Sequence, residues 1–254
     1  MRVDIPINNV PCTLNVVVGS YQYRDCQIYV KDVNMANTAY SNRVIRFKGI
    51  KKFKLPLPIA PKTVTLVARD EKTKDETTVK ILKVDKSHLE TKIIAFNKNN
   101  PLVKEFVLHA RDFCIRATYL GLGKYNSKQG NIKFVYVDKL YFEDENGVKR
   151  ESKSPARING NTGIIEIAKF YFKDFTIAGR FAILCHEYAH FYENNKIKDE
   201  MEADYNSAMI YLGLGFPRVD LLSTWCKVYN QADTPENRAR YEKFVNYVEN
   251  FDKM

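Results

Sequence analysis

Over the first ninety residues the apolar positions come in short runs, rich in β-branched and aromatic side chains and separated by turn residues. The runs are Thr13–Gly19, Gln27–Val33, Arg43–Phe47, Thr63–Arg69 and Thr77–Val84. They predict strands, and Pro56, Pro58 and Pro61 exclude a helix from one connection. Strands at this spacing predict a small all-β sandwich or barrel over residues 1–92. The rhythm changes after Asn99-Asn100-Pro101. Leu102, Val103, Phe106, Val107, Ala110 and Phe113 then recur at helical spacing behind a proline in the first turn, and Gly121-Leu122-Gly123 ends the segment. Ile132–Val137 predicts a strand, Glu143–Lys153 a charged loop, and Gly163–Ala168 a second strand after the turn Asn159–Gly163. From Asp174 the pattern is helical, in segments near 175–193, 200–213, 217–230 and 235–251, with Asp174 and Asp199 as N-caps. The expectation is an α+β chain of two domains. Residues 1–92 form the β-domain, and residues 93–254 combine a short mixed sheet with a long helix and C-terminal helices. No internal repeat or low-complexity tract interrupts them.

Composition narrows the class. The chain has 254 residues, of which 45% are hydrophobic and 28% charged, and that apolar fraction excludes intrinsic disorder. No apolar run approaches the ~20 residues of a membrane-spanning helix, and the N-terminal residues lack the apolar core of a secretory signal. A cytoplasmic location is expected, or a place within a larger particle. Five cysteines, Cys12, Cys26, Cys114, Cys185 and Cys226, form no CxxC pair, which predicts free thiols rather than a disulfide framework or zinc ribbon.

The net charge of +10 is concentrated in the first domain: residues 1–92 carry 17 Lys/Arg against 9 Asp/Glu, and the remainder 23 against 21. An acidic partner would therefore be drawn to the β-domain. Six basic residues between Arg43 and Lys54 alternate in part with apolar neighbours. They read either as a strand contacting nucleic-acid phosphates or as the solvated face of a sheet. With no nucleic-acid motif beside them, the solvated face is preferred.

One motif carries chemistry. Residues 186–190 read His-Glu-Tyr-Ala-His, for which the composition gives roughly 0.004 expected chance occurrences. On a helix His186 and His190 share a face and can aim their imidazoles at one ion. Glu187 lies about 100° round the axis, where it flanks the ion as a general base. Zinc needs a third protein ligand, and Asp199-Glu200-Met201-Glu202-Ala203-Asp204 follows an Asn194-Asn195 turn. Glu200 and Asp204 share a helix face, while Glu202 sits three residues after Asp199 as a capping-box partner. Glu200 is therefore preferred over Glu202 as the third ligand, with Asp204 orienting a ligand imidazole.

His-Glu-x-x-His followed by Glu-x-x-Ala-Asp resembles the gluzincin metallopeptidases, particularly the minimal cytosolic and CAAX-prenyl-protease-like groups, over about residues 96–215. The resemblance implies a zincin-like domain with Zn2+ held by His186, His190 and Glu200. It also implies Glu187 as general base, Asp204 as histidine support, and Gly163–Ala168 as an edge strand that pairs with an extended peptide substrate. Nine residues separate His190 from Glu200, a short gap that calls for tight helix packing. The hydrophobic spans of membrane-bound members are absent, which points away from prenylated substrates. Tyr205, Tyr211 and Arg218 are candidates to stabilise the oxyanion by proximity in sequence. His109 reads as a helix-face residue and Cys185 as core.

A looser resemblance rests on composition: 27 lysines to 13 arginines, 21 asparagines and 16 tyrosines. In this the chain is similar to neck, tail-ring or cargo proteins of tailed phages of gut Bacteroidales. That would imply a homo-oligomer, or contacts with other virion proteins through residues 1–92.

Overall fold

A computed structural model describes residues 1–91, 100–193, 199–232 and 234–253. The fold is mixed α+β, with six α-helices, several sheets and no closed barrel among the described residues. Two compact units emerge. One comprises Met1–Lys92 with Leu214–Pro217, and the other Ile93–Gly213 with Arg218–Met254. No described helix is long and apolar enough to cross a membrane.

The first unit holds β1 (Arg2–Pro6), β2 (Cys12–Asp32), β3 (Met35–Leu57), β4 (Thr63–Asp70) and β5 (Lys80–His88). The four separate strands expected between residues 13 and 69 are in fact two long ones followed by β4, because Thr13–Gly19 and Gln27–Val33 run together. β2 and β3 form one long hairpin whose register shifts between Ser20 and Arg24. Such a shift bends and twists a strand pair. Beyond the bend β2 changes partners, pairing β5 with its first half and β4 with its second, and β1 adds outside β4. The bend brings β1 and β5 together, so that Lys86 Nζ donates to the Pro6 carbonyl at 2.8 Å and the Ile81 amide meets Met1 Sδ at 3.1 Å. The result is a bent five-stranded antiparallel sheet. β1 was missed in the sequence because its five residues carry two charges and a terminal proline.

The second unit opens with α1 (Pro101–Arg116), capped by Asn100, whose side chain accepts from the Leu102 amide at 2.9 Å. A four-stranded sheet follows, in the order β10 (Ala156–Ile158), β11 (Ile165–Ala168), β7 (Lys133–Val137), β6 (Gly123–Asn126); β11 and β7 run parallel and the other pairs antiparallel. The expected charged loop is instead a hairpin of β8 (Leu140–Glu143) and β9 (Lys149–Ser152). α2 (Lys169–Phe172), α3 (Ile177–Tyr188), α4 (Glu200–Gly213), α5 (Arg218–Tyr229) and α6 (Pro235–Asn250) complete the unit. Thr176, rather than Asp174, caps α3 by accepting from the Gly179 amide at 3.1 Å. Asp199 caps α4, accepting from the amides of Met201 and Glu202 at 2.8 and 3.1 Å. The Asn194-Asn195 turn lies outside the described residues.

Every residue of α3 is buried. Phe106 of α1 stacks on Tyr188 at 4.0 Å, and Phe113 meets Phe134 and Tyr136 of the sheet edge-on at 5.2 Å. Arg180, fully buried, is accommodated by acceptors alone: Nη1 donates to the Cys114 carbonyl at 2.9 Å, Nε to that of Phe172 at 3.2 Å, and Nη2 to Thr118 Oγ1 at 2.7 Å and to the Lys173 carbonyl. The carbonyls sit at the C-terminal ends of α1 and α2, where the helix dipole favours a cation. One guanidinium thereby fixes α3 to both helices.

A buried carboxylate does the same for the sheet. Glu105 of α1 accepts from Ser127 Oγ, from the Asn131 amide at 3.1 Å and from Asn131 Nδ2 at 2.8 Å, closing the turn between β6 and β7. Burial alone would raise its pKa, but the bonds from Asn131 and Ser127 outweigh that and hold it below the ordinary carboxylate value. Glu105→Ala should cost about 1–3 kcal/mol at neutral pH, because the buried Ser127 hydroxyl loses its carboxylate acceptor; denaturant unfolding measures it. The depressed pKa also sets a sign. The wild-type advantage is complete above the unfolded carboxylate pKa of about 4.3, and it should shrink as pH falls through the lower folded value. A gap between the two proteins that stays constant into acid would exclude an ionised Glu105 as the cause.

Candidate metal centre

His186 lies in the last turn of α3, and the helix widens directly after it into a π-helical turn, Ala189–Glu193, that carries His190. π-turns of this kind recur at functional sites. The two imidazoles still converge, with Nε2 to Nε2 at 3.1 Å and their planes at 87°. Glu200, the first residue of α4, faces them: Oε2 is 3.3 Å from His186 Nε2, and Oε1 is 3.5 Å from His190 Nε2. The three donors form a group compact enough to hold a metal ion, each offering one atom within 4.8 Å of the others. Nitrogen and oxygen ligands at zinc distances of about 2.0–2.1 Å in a tetrahedron lie about 3.3 Å apart. The two histidine nitrogens, 3.1 Å apart, are close to that figure, and each approaches a different oxygen of Glu200, at 3.3 and 3.5 Å; two histidines with one carboxylate is a donor set of the catalytic type.

Behind the donors lies Asp204, with 0% of its side chain exposed. Its Oδ1 is 3.0 Å from His186 Nδ1, a contact bent off the straight hydrogen-bond line, and neither atom has another partner. Oδ2 accepts from Tyr229 OH at 2.6 Å and from Arg240 Nε at 2.5 Å. Arg240 also reaches forward, with Nη2 at 2.9 Å from Glu200 Oε2 and 3.1 Å from the Glu200 carbonyl.

The cluster attracts positive charge. Burial works against a charged His186, but the Asp204 and Glu200 carboxylates prevail and push its pKa up to about 10. Glu200 is held far below the ordinary range, since His186 and His190 overcome the effect of its burial. Glu187, also buried, has its pKa raised by desolvation, against which His186 and His190 pull.

The site opens on a cleft of about 950 Å³ lined by His186, Glu187, His190 and Glu200, with β10 along one wall and Trp225, Val228 and Tyr229 of α5 along another. Trp225 packs edge-on to His186 at 5.1 Å. Gly179 admits α5 this closely, since a Cβ there would lie 2.8 Å from Thr224 Oγ1.

Five expectations need correction or placement. Gly163–Ala168 is not an edge strand: β11 lies between β10 and β7, and the edge beside the cleft is β10. The turn at residues 159–163 folds the chain back, so the three residues before it form the outer strand. None of the oxyanion candidates lines the cleft: Tyr205 stacks on Tyr247 at 4.3 Å, Arg218 pairs with Asp252, and Tyr211 is buried. Glu202 is exposed and lies outside the donor group. His109 stacks on Phe134 at 4.5 Å away from the cleft, and Cys185 is fully buried.

Sequence reasoning missed Arg240, Tyr229 and Trp225. For the last two a signal existed, because Leu221, Trp225 and Tyr229 recur every four residues on one face of α5. Arg240, in a helix dense with charge, had none.

Gly163 bears on the site from outside it. Its φ is +69°, and a Cβ would fall 2.6 Å from the ring of Phe191, the neighbour of His190. Gly163→Ala should therefore displace Phe191 and lower the stability of this unit by roughly 1–3 kcal/mol. Thermal unfolding tests this, and an unchanged midpoint would show that the turn and ring yield freely. Compared with known proteins, the chain matches no family model, no curated protein and no solved structure.

Proposed function

We propose that the second unit is a zinc-dependent peptidase domain of the gluzincin type. His186, His190 and Glu200 hold the cation, Glu187 is the general base, and Asp204 orients His186. The observation that carries this is the convergence of His186, His190 and Glu200 on the wall of an open cleft, where one ligand atom from each lies within 4.8 Å of the others. Zn2+ in such a site polarises a carbonyl and lowers the pKa of water.

The remaining roles belong to the chain. Glu187 is buried beside the two histidines, where its raised pKa suits a group that takes a proton from attacking water and passes it to the leaving amine. Asp204 fixes the ring of His186 from the Nδ1 side and leaves Nε2 to face the cleft. Among the described residues β10 pairs with β11 on one side only, and it lines the cleft, so its outer edge suits an extended peptide chain. Ile183, Phe191, Trp225 and Val228 supply apolar wall for substrate side chains.

Purified protein should carry one zinc per chain by elemental analysis. A sample that stays metal-free after zinc is added would overturn the proposal. His190→Ala should lose the metal. Glu202→Ala should retain it and cost at most about 1 kcal/mol of stability, because the described side-chain cap bonds of α4 are accepted by Asp199.

Glu187→Gln should keep metal and fold yet abolish peptide hydrolysis, since an amide of nearly equal volume cannot accept the proton. Turnover of a peptide library by wild type and variant, followed by mass spectrometry, measures it. Equal rates would remove Glu187 from the mechanism.

A further inference from the structure

Of the sixteen residues of α6 only Phe244 and Val248 are buried. Tyr241 meets Tyr229 edge-on at 5.7 Å, and Tyr247 stacks on Tyr205. Arg240 carries a positive charge from this helix into the metal-ligand cluster. Its planar guanidinium spans two carboxylates one helical turn apart on α4: Asp204, behind His186, and Glu200, in front of it. Such a bridge needs a fork of donors in one plane, which a lysine does not have.

Glu200 needs an anchor. Its side chain is 55% exposed at the first position of α4, so packing does little to restrict its rotamers. Its described partners besides the two imidazoles all come from Arg240. The guanidinium holds Oε2 at 2.9 Å, and Oε1 is left toward His190. Ordering that carboxylate before a cation arrives removes a conformational-entropy cost from binding. The cationic charge of Arg240 would repel a metal, but Asp204 and Glu200 flank and neutralise it.

We propose that Arg240 is a positioning residue that couples α6 to the metal centre, so that seating of α6 and occupancy by a cation stabilise each other. This rests on the metal reading above. Because coupling is reciprocal, it has two signatures. Loss of the bridge weakens metal binding, and metal binding strengthens the hold on α6.

The test uses full-length wild type, Arg240→Lys, Arg240→Met and Tyr229→Phe. Zn2+ affinity is measured by competition with a chromogenic chelator, and backbone hydrogen exchange over residues 241–250 with and without Zn2+. Tyr229→Phe removes a bond to Asp204 without touching Glu200, and so reports the cost of weakened Asp204 support alone. Both Arg240 variants should lose roughly 10–100-fold in affinity, and Tyr229→Phe clearly less. Zn2+ should slow exchange across α6 in wild type and leave it unchanged in Arg240→Met. Should Arg240→Met fail to fold, the lysine variant and the wild-type exchange comparison decide. Wild type that binds zinc with unaltered α6 exchange overturns the coupling and leaves the metal reading standing, as does equal loss of affinity in the arginine and tyrosine variants. Wild type that takes up no zinc overturns the metal reading, and the coupling with it.

Discussion

Burying the Asp204 carboxylate is the constraint on which the second unit turns. A carboxylate with no solvent exposure carries a desolvation penalty of several kcal/mol, and it persists only if donors meet it from several directions. Here they come from three different helices: His186 from α3, Tyr229 from α5 and Arg240 from α6, with Asp204 itself on α4. Their combined effect is visible in the acid, whose pKa stays below the ordinary value although burial pushes it upward. The same field raises the Tyr229 hydroxyl, whose burial and carboxylate neighbour both oppose ionisation. No one of the four helices can shift without leaving the charge short of a partner. The helix packing and the orientation of His186 are therefore one physical problem with one solution.

An earlier turn of α3 is fixed by a charge of the other sign. Arg180 sits six residues before His186 and finds only acceptors, mostly carbonyls at the ends of α1 and α2. Its pKa is lowered by burial, yet five guanidinium protons give it enough donors to satisfy four acceptors at once. α3 is therefore held by a cation at one level and leads to anions at the next. Its apolar residues fill the space between, and that leaves little freedom in where the histidines point.

What was legible in the sequence follows from range. Helix periodicity is local, so α4, α5 and α6 were placed to within about two residues, and the i, i+4 histidines were read from spacing alone. The choice of Glu200 over Glu202 also came from local geometry, since residues two apart point to opposite sides of a helix. Contacts such as Arg240–Asp204 and Glu105–Asn131 join residues 36 and 26 positions apart, and nothing in either neighbourhood announces the partner. β10 escaped for a different reason. Three residues, one of them arginine, are too few to show alternation, and only pairing with β11 across the turn at 159–163 makes them a strand. In β2 the residues around the bend, Tyr21 to Tyr23, are exposed and polar enough to read as a turn, although the strand continues through them.

Charge arithmetic links the site to its proposed occupant. Glu187, Glu200 and Asp204 bring three negative charges into one buried or half-buried cluster, and Arg240 returns one positive charge. With neutral imidazoles the sum is −2, and the share of it on the buried Glu187 and Asp204 is costly to leave uncompensated. A divalent cation between His186, His190 and Glu200 would bring the total to zero. Where no cation lies between them, the Asp204 and Glu200 carboxylates draw a proton to His186 and push its pKa up to about 10, whereas the raised pKa of Glu187 comes chiefly from its burial. A proton on His186 gives the ring two N–H groups and ends its capacity as a ligand, whereas a metal at Nε2 needs that nitrogen's lone pair. The same excess of negative charge therefore favours two mutually exclusive occupants. Asp204, which supports either form from Nδ1, keeps the ring in place for both.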